Sequence, residues 1–484
     1  MFRKLMLATA VTAALGLTAC GGGDENNSIL IEGDTVTTTN NNSTTTTGGA
    51  GSVTPGSPST CPSWSSARPV DDNGKSVCQL PGTITVSRTL SSNIVWYMAE
   101  RVTVGNGNQR MSPTRGLLAN GTPVLSVTLT VEPGTQIKGA TGSFANLIIT
   151  RGSRIMAEGT ASAPIVFSSD DADTNGPGEW GGLILHGYGV HNVCGTNATV
   201  ACNIDSEGES GFAGGYTEND SSGVLRYVVV TEGGFQFAPG NEINGISLVG
   251  VGSGTTMEYI QIHDNSDDGI EYYGGTVNTK YLVVTGAGDD SIDWDEGFSG
   301  NIQFAIVRQS SASEGNVIEG DTDGSTTGFL SKPTLANISF IGNGSATTMV
   351  VLKARSGGFM HNSILTTGPG NVIASCVTVS GAPAQALRNT AIGFNNVITN
   401  CGSFGDTVLN QTTVTAVNPA LSANFVPGAA AARLATPINF AAFNAANAES
   451  TAKTSFLENT AYIGAVNPTG GNLWFQGWTL PGTL

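Results

Sequence analysis

Two acidic runs, Asp267-Asp268-Gly269-Ile270-Glu271-Tyr272 and Asp289-Asp290-Ser291-Ile292-Asp293-Trp294, repeat one another at an offset of 22 residues. If the chain returns on itself at that interval, Asp267 stands over Asp289 and Glu271 over Asp293. Two carboxylates one strand spacing apart repel by roughly 3 kcal/mol at an effective dielectric of about 20. Solvent, a raised pKa, a cation such as Lys280, or a bound metal must relieve them. Hard oxygen donors in loose geometry suit Ca2+, and the metal set expected on this ground is Asp267, Glu271, Asp289, Asp293 and Asp295. Neither an EF-hand pattern nor a glycine-rich nonapeptide calcium repeat is present. The competing reading is a row of solvated turns, with Asp chosen for turn geometry. Paired carboxylates also act as acid and base in glycoside cleavage, which makes Asp289, Asp290 and Asp293 the alternative catalytic set. Strand alternation turns Tyr272 and Trp294 inward, leaving Tyr273 and Phe298 as the expected exposed ligand face.

The elements that must position these residues are short strands. Residues 259–262, 281–284 and 304–307 recur at 22 to 23, with 225–230 and 337–341 as further copies separated by insertions. A β-rich period of 20 to 25 without helix marks a solenoid in which each coil is one rung. Rungs are about 4.8 Å apart. Ile260, Leu282 and Phe304 should then form one inward row, and Ile262, Val284 and Ile306 another. Ile270 with Ile292, and Tyr272 with Trp294, should form rows on a second face. Composition agrees: 66 of 484 residues are Gly and charged residues are 12%, half the usual quarter, as many short strands and tight turns require. The fold class expected is all-β, a parallel β-helix with a disordered N-terminal stalk and a C-terminal cap. Residues 427–456 read as irregular or partly helical, and the aromatic stretch from Tyr462 to Trp478 as packing over an open end of the solenoid.

The N-terminus reads as an address. Arg3 and Lys4 precede an apolar run and then Leu17-Thr18-Ala19-Cys20, the layout of an export signal rather than of a membrane span. Cys20 in this setting resembles a lipobox, so the chain is expected to be anchored to a membrane through lipidated Cys20. With no Asp directly after it, the cell envelope and the outer membrane of a Gram-negative bacterium are favoured. Cys20 also accounts for the odd member of seven cysteines. Six cysteines allow 15 pairings, and sequence neighbours give the simplest set: Cys61–Cys78, Cys194–Cys202 and Cys376–Cys401, outside the cytoplasm. Residues 21–60 are Asn, Thr, Ser and Gly, unable to bury a core and so a linker. The divisions expected are signal 1–19, lipidated linker 20–60, N-terminal strands 61–109, β-helix 110–445 and cap 446–484. A net charge of −17 argues against nucleic acid as a partner.

Several motifs together carry a resemblance: Gly178-Glu179-Trp180-Gly181-Gly182-Leu183, Ser222-Gly223-Val224-Leu225-Arg226-Tyr227, Asn244-Gly245-Ile246 with Val251-Gly252-Ser253-Gly254-Thr255-Thr256, the first acidic run with Gly274-Gly275-Thr276-Val277, and Tyr462-Ile463-Gly464-Ala465. From about residue 80 to 484 the chain resembles a bacterial family of secreted or lipoprotein β-helices with the pectin-lyase-like fold. The resemblance implies a right-handed parallel β-helix and no agreed activity, since function lives in the site and not the scaffold. Gly288-Asp289-Asp290-Ser291 resembles the paired-Asp motif of the polygalacturonase branch of that fold. The rest of that pattern (Gly-His-Gly, Arg-Ile-Lys, Asn-Thr-Asp) is missing, Asn278-Thr279-Lys280 being the nearest. A lyase would need Ca2+ beside a basic residue, for which Lys280, Arg308, Lys353 and Arg355 are open. His186, His191, His263 and His361 show no zinc spacing. The leading expectation is non-enzymatic binding of a polysaccharide or an envelope protein along one β-helix face, with Ca2+ as a stabilising ion. A polysaccharide lyase or glycoside hydrolase, and a structural spacer, are the alternatives.

Overall fold

The computed structural model describes residues 60–484 except 173–175, 195–201, 239, 324–327, 345–347, 369–370, 372, 389, 406–409, 412–413, 417–424, 426–437, 448–454 and 470–472. The signal, the stalk and Cys20 lie outside the described residues.

Short β-branched and aliphatic runs make strands, and successive coils give one strand to each of two parallel sheets. The long-stranded sheet passes in order through Gly223–Thr231, Thr256–His263, Asn278–Thr285, Asn301–Arg308, Thr334–Gly342, Gly358–Thr367 and Ile392–Thr399. The short-stranded sheet passes through Leu147–Ile149, Leu183–His186, Ile246–Val249, Ile270–Tyr273, Ile292–Asp295, Ile318–Gly320, Thr348–Leu352 and Ser375–Val379. The architecture is a parallel β-helix. Parallel pairing begins as early as Val77–Gln79 on Val95–Met98, with Ser66–Arg68 laid antiparallel against the first of these.

The core is a column of stacked rows. Ile246, Ile270, Ile292, Ile318 and Val350 form one row of the short sheet, and Leu248, Tyr272 and Trp294 the next, all at most 2% exposed. Gly320 follows Trp294 in that second row because a Cβ there would meet the indole at 2.6 Å. In the long sheet the rows are Ile260, Leu282, Ala305, Ile338 and Ile262, Val284, Val307, Phe340. Phe304 and Ile306 are therefore not in the inward rows expected for them. The step from Tyr281 to Phe304 is 23 residues rather than 22, which slips the register by one and turns both side chains to the other face.

What sets that register is a bend. Tyr227, Tyr259, Tyr281, Phe304, Asn337, Asn362 and Asn396 occupy equivalent places on successive long strands, and all have φ between 49° and 59°. Asn tolerates this left-handed conformation; Tyr and Phe do not unless their surroundings hold them. The aromatic side chains stack along the outer face, with ring centroids 4.3 Å apart for Tyr227–Tyr259, 4.4 Å for Tyr259–Tyr281 and 5.2 Å for Tyr281–Phe304.

Trp474 and Trp478 pack against this stack. The C-terminal aromatics thus cover the flank of the long sheet, not an open end, because the outward Tyr column offers them a continuous apolar surface. A short helix, Phe440–Asn447, lies on the same sheet through Phe440, with Ile438 and Leu457 on Ala336. The cysteines pair as Cys61–Cys78, Cys194–Cys202 and Cys376–Cys401, the last with Cα atoms 5.5 Å apart and tying neighbouring coils.

Candidate functional site

The outer face of the short sheet carries the acidic residues. Parallel register stacks Glu271 on Asp293 and Asp293 on Glu319, and sets Asp295 two residues further along the same strand as Asp293, on the same face. The turns before these strands bring in Asp267 and Asp268 from one coil and Asp289 and Asp290 from the next. Carboxylate oxygens fall within 4.8 Å of one another in four groups: Asp267–Asp268–Asp289, Asp268–Glu271–Asp293, Asp290–Asp293–Glu319 and Asp295–Asp321–Asp323. Asp268 and Asp293 each belong to two groups, so the first three form one continuous ladder.

Some of these carboxylates have a structural task. Asp268 Oδ1 accepts the Asp290 N–H at 2.8 Å, and Asp290 Oδ1 accepts the Asn316 N–H, so each caps the backbone of the following coil. Turn chemistry explains those two positions. It does not explain Glu271, 7% exposed, whose Oε2 takes a hydrogen bond of 2.6 Å from Asn244 Nδ2. The Oδ1 of that same buried amide accepts no hydrogen bond among the described residues.

Burial and like charge both act on the ladder. Burial first, then Glu207, Glu242 and Asp289, raises Asp267 to about 7. Burial, then Asp321 and Glu296, raises Asp295 to about 8. Asp268, Glu271, Asp290 and Asp293 are pushed well above the ordinary carboxylate range by burial first, and then by neighbouring carboxylates: Asp293 for Asp268, Glu207 for Glu271, Glu319 for Asp290 and Asp290 for Asp293. One ammonium opposes this among the described residues: Lys353 Nζ lies 2.5 Å from Glu319 Oε2 and 3.8 Å from Asp321 Oδ2.

Lys280 is not the relieving cation. It stands on the long sheet, 2.8 Å from Glu458 and over the Phe456 ring. Arg308 lies over Phe425, and Arg355 donates to the Gly328 carbonyl. Nor do Tyr273 and Phe298 form an exposed face. Phe298 is fully buried and stacks on Tyr272 with centroids 4.3 Å apart. Tyr273 is 7% exposed because the inserted segment covers it: its hydroxyl donates to Glu207 Oε2 at 2.5 Å and accepts from Asn244 at 3.2 Å.

The period alone does not reach Glu319, Asp321 and Asp323; of the basic residues named from the sequence, Lys353 is the one the structure brings to this face. The insertion before Ile318 lengthens the step from Asp293 to Glu319 to 26 residues. Its signal is nonetheless present, because Ile292-Asp293-Trp294-Asp295 and Ile318-Glu319-Gly320-Asp321 share one alternation of apolar and acidic residues. Asp268, Glu207 and Asn244 enter through turns and an insertion, where no alternation points to them.

Chemically, hard oxygen donors crowd a face with a shortage of positive charge. Such a set fits Ca2+, which accepts six to eight oxygens in flexible geometry, better than metals preferring nitrogen or sulfur. The fold defines a class: parallel β-helix proteins. The chain belongs to the family described as the pectate-lyase like beta helix domain, whose model matches residues 120–479, well over half of its length. No curated protein and no solved structure matches it.

Proposed function

We propose that this protein is an envelope-tethered β-helix that binds divalent cations, Ca2+ the fitting ion, along the acidic ladder and through them holds an acidic polysaccharide without cleaving it. The observation that carries this is the sharing of Asp268 and Asp293 between carboxylate groups, with Lys353 as the one neighbouring ammonium among the described residues. Such a face at neutral pH holds either extra protons or cations. Bound cations would supply the charge that lets an anionic polymer approach. The carboxylates Asp289 and Asp323, which are exposed, and half-buried Asp267 form its accessible rim. Tethering through lipidated Cys20 rests on the lipobox-like Leu17-Thr18-Ala19-Cys20. Metabolic lipid labelling that survives Cys20→Ser would remove it.

The test of binding is an array of acidic and neutral glycans with and without chelator. Retention of acidic glycans that vanishes with chelator and returns with Ca2+ is the expected result. Equal retention with and without chelator would overturn the cation's role. A glycoside-hydrolase reading is favoured by one feature, carboxyls held protonated near neutral pH as a general acid must be. Against it, the Gly-His-Gly, Arg-Ile-Lys and Asn-Thr-Asp elements that accompany the paired Asp in the polygalacturonase pattern are missing from the sequence. Product release that disappears in an Asp289→Ala, Asp290→Ala double variant would establish the enzyme instead.

A further inference from the structure

We propose a second divalent-cation site, made by Asp171, Glu179 and Glu232, that shares no residue with the ladder and does not depend on the reading given above. These residues come from three places. Asp171 follows the strand Ile165–Ser169, Glu179 precedes Trp180 at the entry to the short sheet, and Glu232 follows the strand Gly223–Thr231. One carboxylate oxygen from each lies within 4.8 Å of the others. Proximity of acids alone would mean little, since solvated acidic groups often cluster.

The further observation is Glu232 itself. It is 0% exposed, and its backbone is held in place by N–H groups of Glu179 and Trp180 on its carbonyl. Its Oε2 accepts the N–H and the hydroxyl of Ser169, both at 3.1 Å. Its Oε1 has no hydrogen-bond partner among the described residues. A buried carboxylate oxygen without a donor is costly, and the local donors are already oversubscribed. The single Ser169 hydroxyl proton faces both Glu232 Oε2 and Asp171 Oδ1, the latter at 2.8 Å. Lys138, the nearby ammonium, bonds the Asp171 backbone carbonyl at 3.2 Å rather than the carboxylates.

Among the described residues, then, Glu232 and Asp171 share the one Ser169 hydroxyl while Glu232 Oε1 is left over. Three fillers answer this: a buried water donating to Oε1, a proton on Glu232, whose carboxyl burial raises to about 7 with Asp171 and Glu179 adding to the rise, or a divalent ion. A proton provides one donor to one acceptor. An ion takes several oxygens at once, and oxygens on one Ca2+ at 2.3–2.6 Å stand at most about 5 Å apart, the span this triad has. Mg2+ demands a tighter octahedron and retains its waters, so Ca2+ is the ion that fits.

The experiment is calcium titration of the full chain by calorimetry, comparing the unaltered protein with Glu232→Gln and Asp171→Asn. Each variant is checked for fold by circular dichroism. Gln keeps the shape of the buried side chain and removes its charge, while Asp171 is partly exposed and its variant folds even if Glu232→Gln does not. Each variant is expected to bind one Ca2+ fewer than the unaltered protein and to show a smaller calcium-induced rise in melting temperature. Asp293→Asn serves as the control: whatever it does to binding at the ladder, it leaves the ion at Glu232 in place. A folded Glu232→Gln or Asp171→Asn protein that binds the full number of ions overturns the site. So does a Glu232→Gln protein whose stability rises with an unchanged calcium increment, because the filler is then a proton.

Discussion

Tyr227, Tyr259, Tyr281 and Phe304 on the long sheet, and Glu271, Asp293 and Glu319 on the short one, are placed by the same device. Successive coils set equivalent residues one strand spacing apart. For aromatic rings that spacing is favourable, about 0.5–1.5 kcal/mol per offset-stacked pair beyond burial. The gain helps hold Tyr and Phe at a left-handed bend that Asn337, Asn362 and Asn396 take more easily. For carboxylates the spacing is unfavourable, and burial makes it worse. A stacked-coil fold thus amplifies whatever its side chains do to one another. The aromatic column is closed by Trp474 and Trp478 from the same chain; the acidic column has Lys353 as its one neighbouring ammonium among the described residues.

The largest expected effect separates the two columns by chelation. Removing Ca2+ at pH 8 should lower the melting temperature by about 5 °C or more, since each ion at a hundredfold excess over its Kd contributes about 2.7 kcal/mol. Differential scanning calorimetry checks it, and an unchanged transition would mean the acidic column is relieved without metal. The pH dependence sharpens the same point. Carboxyls of this face have folded pKa values above their unfolded values near 4, Asp267 in the ladder at about 7 and Asp295 beside it at about 8. The folded chain then holds more protons than the unfolded one between roughly pH 4 and 8, so stability in chelator should fall as pH rises through that window. Saturating Ca2+ should flatten the curve.

Tyr259→Ala strikes the middle of the aromatic column, taking away two stacked partners and the Trp478 contact. A loss of about 3 kcal/mol is expected in urea unfolding, the same with and without Ca2+. A calcium-dependent loss would show that the columns are coupled. Lys353→Met should cost about 2 kcal/mol, between the exposed and buried extremes for an ion pair, and should enlarge the calcium-induced stabilisation. Asp293→Asn has the smallest and most diagnostic effect. In chelator it should stabilise by about 1 kcal/mol by relieving like charge, and in Ca2+ it should destabilise. One sign under both conditions would remove Asp293 from the cation set.

Much of the fold was legible because coil stacking writes itself as a period. The 22-residue repeat of Asp267–Tyr272 in Asp289–Trp294 predicts the pairing of Ile270 with Ile292 and of Glu271 with Asp293. The period failed wherever a coil changed length. One extra residue before Phe304 moved it and Ile306 out of the expected rows, and the longer turn before Ile318 hid Glu319 and Asp321. Phe298 failed for another reason: strand alternation does not govern a residue beyond a strand's end.

By itself, then, the order of residues determined the local alternation, the turns and the interval of return, since these depend on neighbours along the chain. Which charges share a site was decided in three dimensions. The inserted segment lays Glu207 over Tyr273, the closing aromatics settle on the Tyr column, and Lys280 and Lys353 end up on different sheets. Coulombic and packing energies depend on distance through space, and across coils and insertions that distance is set by the assembled fold.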